Sequence, residues 1–345
     1  MTAEVQSIPP ERLPGMEFHP RLGLHVQNMV ARQLVTHTTI ARPTRHFPTC
    51  TFDTMAGNTM LGMHLADVEV GSYKCDHRHF DETASFILTG RGFSEYRQAD
   101  EGEKLRVDWE AGDLLVIPSN AWHRHVNTSD VRVRQISFRS TPLMTAFVFG
   151  GDGNYEKSDA IYHQSARFTD RFDDQPDYFT SRQELAPGRV GMNFVSQVAS
   201  QALPEDNPEY GSGVAIQAIA MGGQRITDLA VARIRAGGNM RGHRPLAEES
   251  FLVMQGSGAS EVWTDDGPRV TLQWSAGDLV SAPLGAWREH TADAGEDVRI
   301  LMARCTAFER ALGIADQTAP WRLDSDLPDR LEALVDAGIA GVASR

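Results

Sequence analysis

The sequence predicts an all-β protein made of two tandem jelly-roll β-barrels with a few peripheral helices, and three observations carry that expectation. Between residues 51 and 149 the apolar residues fall in short runs such as ASFILTG, DLLVIP and VRVRQISF, cut by Gly, Pro, Asn and Asp. Runs of that length between turn formers read as strands, and closely spaced strands close into sandwiches or barrels. The chain also repeats itself: AGNTMLGMHLADVEVGSYKCDHRH at 56–79 aligns without gaps on GGQRITDLAVARIRAGGNMRGHRP at 222–245, an offset of 166. The offset still holds from Gly90 to Gly256 and becomes 165 from Pro118 to Pro283, so one fold occurs twice. Finally, 345 residues are enough for two ordinary domains with sizeable cores.

Taken in order, residues 1–50 are rich in Pro, Arg and His with weak periodicity and read as an N-terminal arm with one helix near Gly23 to Val35. His19, His25, His37 and His46 fall there without a spacing that would join them at one metal, and read as surface or packing residues. Residues 51–149 form the first barrel. Residues 150–215, with GGDGN, RFDDQPDYF and LPEDNPEYGSG, carry turn formers and acids and read as a linker with little chemistry. Residues 216–310 form the second barrel. In the segment 311–345, Asp326 is placed to cap a helix whose Leu327, Leu331, Leu334 and Val335 make one apolar stripe for packing.

Hydrophobic residues at 41% and charged residues at 23% describe a soluble globular chain. With 33 basic and 46 acidic residues the formal net charge is −13, which argues against nucleic acid or an anionic membrane as a partner and for a small molecule. The start, MTAEVQSIPPERLPG, lacks a basic and apolar leader, and no run approaches the length of a membrane span, so a cytoplasmic protein is expected. Cys50, Cys75 and Cys305 are too few and too scattered for a disulfide framework. Cys75 shares strand parity with His77 and is expected as a small buried hydrophobe.

The chemistry is expected in GSYKCDHRHFDETASFILTGRG, residues 71–92. Side chains alternate along a strand, so His77 and His79 point one way and Arg78 the other. The stretch GDLLVIPSNAWHRHVN at 112–127 offers His123 and His125 in the same manner. Four same-face imidazoles on two strands point to a metal site, because neutral imidazole is the commonest biological metal ligand.

The spacing Gly71, five residues, His77-x-His79, Gly90, then Gly112, five residues, Pro118, His123 and Asn127 resembles the paired motifs of the cupin superfamily. That family's first motif carries a glutamate seven residues before its closing glycine. Here the position is Thr83; Glu82 is adjacent, but by parity points away unless a bulge intervenes. The His-Arg-His triplet, the missing glutamate and the Trp-His-x-His-x-Asn ending are similar to gentisate 1,2-dioxygenase and its salicylate and hydroxynaphthoate relatives. The resemblance implies Fe(II) held by His77, His79 and His123, with His125 as an acid/base or substrate contact. It further implies a small hydroxylated aromatic acid and dioxygen as substrates, extradiol-type ring cleavage, and a homo-oligomer, dimer or tetramer, on which the N-terminal arm packs. Three neutral ligands leave open positions for a bidentate anion and dioxygen. Imidazole also serves Mn(II) and Ni(II), so ligands alone do not choose the metal. The alternatives are a three-histidine oxygenase of a thiol or β-diketone, a metal-dependent isomerase or hydrolase, and a non-enzymatic ligand-binding protein of two cupin domains.

In the second copy His79 is matched by Pro245 and His123 by Arg288, leaving His243, Glu249 and His290. An arginine at a ligand position repels a cation and is expected to pair with Glu249 inside the barrel, so this copy is expected to be structural.

Overall fold

The computed structural model describes residues 28–143 and 172–305, apart from 43–44, 53–54, 80, 100, 144–171, 173, 223–226 and 246. The C-terminal segment 311–345 and most of the arm therefore lie outside the described residues. Strands dominate. The first copy is formed by β1 (Val30–Ala31), β2 (Ile40–Arg42), β3 (Arg45–Thr51), β4 (Gly62–Val68), β5 (Tyr73–His77), β6 (Thr83–Thr89), β7 (Arg91–Arg97), β8 (Leu105–Glu110), β9 (Leu114–Ile117), β10 (Trp122–Asn127) and β11 (Val133–Arg139). Next come β12 (Arg182–Ala186), β13 (Arg189–Met192) and β14 (Phe194–Val195). The second copy continues with β15 (Gly211–Ala220), β16 (Thr227–His243), β17 (Glu248–Gln255), β18 (Ser257–Trp263), β19 (Val270–Ser275), β20 (Leu279–Ala282), β21 (Trp287–Ala292) and β22 (Val298–Cys305).

Two sheets make the first barrel, ordered β5-β10-β7-β8 and β14-β9-β6-β11-β4-β3-β2. The strands of the first sheet alternate buried and accessible residues, as in β7 and β10, because one face lines the barrel and the other meets water. β4 and the first five residues of β6 are buried throughout, since their outer faces are covered by the second copy. In the second barrel β16 runs 17 residues, pairing with β22 along its first half and with β21 near its end, so one strand serves both sheets. Its counterpart in the first barrel is divided into β4 and β5 around Gly71, whose φ of +67° matches the +68° of Gly237 within β16. An apolar cluster containing Phe52, Leu65, Leu114, Val195, Leu229, Leu252, Leu279 and Leu301 runs continuously from one copy to the other. A second cluster, with Met240, Phe251, Trp274, Ile300 and Met302, fills the interior of the second barrel.

The copies exchange strands. β1 pairs with β20 of the second barrel, and β14 pairs with β9 of the first. The exchange is symmetrical to the atom: Gln33 N–H donates to Asp278 Oδ1 and Gln197 N–H to Asp113 Oδ1, both at 2.9 Å. Both glutamines take positive φ, 49° and 47°. Two expectations are corrected here. The residues around Val30 form a strand and not a helix, because their backbone is claimed by the open edge of β20. The stretch read as a linker carries β12, β13 and β14, with β13 running parallel to β15.

A reciprocal pair of carboxylates ties the copies together as well. Glu248 accepts the N–H groups of Thr59, Met60 and Leu61 at 2.6, 2.8 and 2.7 Å. Glu82, its counterpart at the offset of 166, accepts the N–H of Thr227 at 3.0 Å, and Thr227 is the counterpart of Leu61.

Candidate metal centre

The first site is built where β5 and β10 end side by side, with His77 opposite His123 in register. Between that pair and the next, His125 opposite Lys74, the register shifts: two residues of β10 face three of β5. The bulge turns Lys74 inward along with His77 and leaves Cys75 exposed, which corrects the expectation of a buried cysteine. His79 lies just past the end of β5, and its carbonyl accepts the N–H of Asn120 at 2.7 Å. The ligand nitrogens of His77, His79 and His123 all come within 4.8 Å of one another. The ring centroids are 4.2 Å apart for His77 and His123 and 4.8 Å for His79 and His123.

Hydrogen bonds fix the tautomers. His77 Nδ1 lies 2.9 Å from the Cys75 carbonyl and His123 Nδ1 2.9 Å from that of Ala121, and a carbonyl can only accept. His79 Nδ1 faces Asp81, 3.2 Å from Oδ1 and 3.3 Å from its carbonyl. Each ring thus carries its proton on Nδ1 and presents the Nε2 lone pair, the arrangement of metal-binding histidines whose outer nitrogen is held by a carbonyl or carboxylate. His123 Nε2 is buried without a hydrogen-bond partner in the protein. A bare buried acceptor is costly, and a divalent cation would satisfy it, so the residues fit a metal ion. Burial first, then the neighbouring His79 and His125, hold His123 well below the usual imidazole range, so it stays neutral. Burial works the other way on the Asp81 carboxyl, but His79, Arg139 and Thr141 outweigh it and keep Asp81 ionised.

The three rings open into a partly open pocket lined also by His64, Lys74, Asp81, Thr83, Ile117, His125, Gln135, Ser137 and Arg139. His125 is not in the three-histidine group. Its Nδ1 is 2.7 Å from Ser94 Oγ, which accepts the indole N–H of Trp109 at 2.8 Å. A Cβ at Gly92 would lie 2.7 Å from that indole, so the ring sits where it does because position 92 has no side chain. Burial first, then Lys74, His77 and His79, lower the pKa of His125 well below the usual range. Thr83 lines the pocket while Glu82, one residue away, turns to Thr227, as strand alternation requires.

The second barrel brings His243, Glu249 and His290 within the same 4.8 Å. Glu249 is engaged by arginines: Arg304 Nε donates to its Oε2 at 2.5 Å, and Arg288 Nη1 stands 3.8 Å from Oε1. The expected Arg288 pairing is therefore present, but the closer partner is Arg304. Lys74, Arg139 and Arg304 were not singled out from sequence. The signal for the last two was the offset of 165 joining Arg139 to Arg304, and for Lys74 there was none, since a bulge is invisible to parity.

Residues 64–138 match the model of the cupin domain. A 5-aminosalicylate 1,2-dioxygenase of a Comamonas species is 25% identical over 275 residues, covering 73% of this chain and 67% of that protein. An acireductone dioxygenase of Heterostelium pallidum is 38% identical over 58 residues, and one of Coprinopsis cinerea 41% over 49; the chain spans only 39% and 28% of their lengths. Among solved structures, a salicylate 1,2-dioxygenase from Pseudaminobacter salicylatoxidans superposes with a TM-score of 0.52 at 17% identity over 74% of each chain. An oxalate decarboxylase from Lactobacillus farciminis gives 0.52 at 15%, covering 84% of this chain and 91% of that one. Those two likenesses are of fold. Residues 64–138 of the first barrel thus carry the match to the cupin domain, and the same strand architecture recurs in the second.

Proposed function

We propose that the first barrel holds one Fe(II) ion on His77, His79 and His123, and that the protein is a dioxygenase cleaving the ring of a hydroxylated aromatic acid of the gentisate or salicylate kind. The observation that carries this reading is the convergence of three Nε2 lone pairs with no carboxylate among them, beside a pocket lined by Lys74 and Arg139. A neutral ligand set leaves the ion its full charge, which favours an anionic chelating substrate. The 5-aminosalicylate 1,2-dioxygenase likeness supports the aromatic class.

Bound iron would supply Lewis acidity and a path for electrons between substrate and dioxygen. The rest is the work of this chain. The carbonyls of Cys75 and Ala121 and the carboxylate of Asp81 hold the imidazoles in the tautomer that leaves Nε2 free. Lys74 and Arg139 give the wall a positive character that orients an acid. His125 is steadied through Nδ1 by Ser94; in the tautomer whose Nδ1–H donates to Ser94, its Nε2 can receive the proton of the ring hydroxyl, and its depressed pKa keeps the ring neutral at neutral pH. His123 and His125 are buried, which limits the access of competing water to them.

A second reading, oxidation of an acireductone or related diketone, is favoured by the short but closer match to acireductone dioxygenases. The two separate in one experiment: oxygen uptake by anaerobically purified, metal-analysed protein against hydroxybenzoates and against acireductone. Uptake with a hydroxybenzoate and a ring-opened product is expected. Uptake with acireductone alone would replace the aromatic reading, and manganese or nickel in active protein would replace iron.

A further inference from the structure

The duplicated fold gives the lining positions of the first pocket counterparts inside the same chain, and strand register sets them out in levels along the barrel. On one face β11 carries Arg139, Ser137 and Gln135, and β22 carries Arg304, Met302 and Ile300 at the offset of 165. Arg139 is opposite Thr83, and its charge bears on Asp81, the carboxylate 3.2 Å from His79 Nδ1, so this level belongs to the metal centre. At about 3.4 Å per residue, Ser137 stands about 7 Å and Gln135 about 13 Å farther along the strand.

The two copies differ from level to level. An arginine stands at the first in both. At the second, Ser137 has His64 on one side and Ser85 on the other, where Met302 has Ala230 and Phe251. The two serine hydroxyls lie 2.6 Å apart and meet each other's needs. At the third, Gln135 lies between Ala66 and Ile87, as Ile300 lies between Ala232 and Val253. The flanking residues are apolar in both copies, so the residue between them is the one that differs in kind. Gln135 is buried and lines the pocket, and its Oε1 has no hydrogen-bond partner in the protein. A buried amide oxygen without a donor is costly, and Ile300 shows that the barrel closes at this level with a hydrocarbon side chain. Closure of the fold therefore gives no reason for the amide, whereas a donor arriving in the pocket would.

We propose that Gln135 is a specificity residue whose amide oxygen accepts a hydrogen bond from a hydroxyl or amino group on the ring edge opposite the chelating oxygens. This rests on the reading of the pocket as a metal-dependent site for an aromatic acid, and narrows that class to acids bearing a donor remote from the metal. A ring chelated at the first level and the long side chain of Gln135 reaching from the third meet between them, beside the serine pair. An analogue of the same shape without the donor leaves the oxygen unpaired, and sites built around a hydrogen bond discriminate most strongly in that case.

The test is calorimetric binding to metal-loaded protein without oxygen, which reads recognition without turnover. The ligands are gentisate and β-resorcylate, each against the salicylate with a methyl group in place of the second hydroxyl, and unsubstituted salicylate. Wild type should bind the hydroxyl member of at least one pair about 10- to 100-fold more tightly. Gln135→Ile places at this level the residue that the second barrel already packs there. It should abolish the preference while metal content and salicylate affinity match wild type, and Gln135→Met, closer in length to glutamine, gives the same reading if the isoleucine variant does not fold. Equal affinities within both pairs, no binding of any of these acids by wild type, or a preference that survives in the variants overturns the proposal. So does a fall in salicylate affinity as large as that for the hydroxyl ligand, which would make Gln135 a packing residue. A Gln135-dependent preference without oxygen uptake on any hydroxybenzoate would keep the contact and remove the dioxygenase reading; ring cleavage without the preference would remove the contact alone.

Discussion

A serine stands between an indole and an imidazole twice in this chain, and the repetition bears on what His125 does. Trp109, Ser94 and His125 reappear as Trp274, Ser260 and His290, with the same 2.8 and 2.7 Å distances. A string kept in a barrel whose charged groups are locked to one another is a packing device, and positioning the ring is what it does in both copies. In the first copy the imidazole lines a pocket beside three other histidines. His125→Ala should therefore retain metal and lower turnover by about 10² to 10⁴, the range of a positioned acid/base group. Metal analysis beside the rate is the check: loss of metal would make His125 a ligand, and an unchanged rate would make it packing alone.

His290, outside the three-histidine group, allows a second electrostatic test. Burial lowers its pKa from 6.5 to about 3. Above pH 6.5 the ring is neutral whether the chain is folded or not, so it leaves stability unchanged there. Between 6.5 and about 3 the unfolded chain binds a proton that the folded chain refuses, and stability falls toward acid by about 1.4 kcal/mol per pH unit. His290→Asn, with an amide to meet Ser260, should flatten the acid limb of urea midpoints by that slope. A limb as steep as wild type would show that the ring takes its proton while folded. At this scale the HxH and WHxH spacings were legible because they depend on chain order alone. The tautomers were not, since they depend on carbonyls folding back from residues 75 and 121, nor was Lys74, which one bulge brings inward.

Elements were legible where their own side chains decide them. The alternating strands β7 and β10 and the Gly-bounded turns follow from hydrophobic period and backbone freedom. What failed was β1 and β12 to β14, short segments whose conformation is set by a partner strand far away in sequence. Tertiary pairing overrides weak local preference in such cases. The same reasoning settles which way Glu82 acts. Its carboxylate holds the N–H of Thr227 across the junction of the two copies, as Glu248 holds three N–H groups in return. Glu82→Gln keeps an acceptor oxygen but gives up the charge, so metal content should match wild type while the melting temperature falls. The expected cost is about 1 kcal/mol, the difference between a charged and a neutral acceptor. Metal loss as complete as in His79→Ala would move Glu82 into the ligand set.

For the molecule as a whole, duplication separates what the fold requires from what the chemistry requires. Both copies keep the glycines, the indole string and the buried arginine, and they differ where charge meets the interior. In the first, neutral imidazoles face one another with their lone pairs exposed to the pocket, so a cation stabilises them. In the second, Arg288 and Arg304 bring two positive charges to the single carboxylate of Glu249, a net of one positive charge in a fully buried cluster. Burial draws the Arg288 pKa down to about 10, still far above neutrality, so that charge remains. A divalent ion entering there would have to break the Arg304 bond and stand beside two guanidiniums, and at an effective dielectric constant of about 20 each such repulsion at 4 Å is on the order of 8 kcal/mol. Protein loaded with excess Fe(II) without oxygen and then desalted should therefore carry one ion per chain. His123→Ala should carry almost none and His243→Ala the full one. A second equivalent that disappears in His243→Ala would show that the arginines yield to metal, and the reading of the second barrel as a charge-locked structural copy would fall with it.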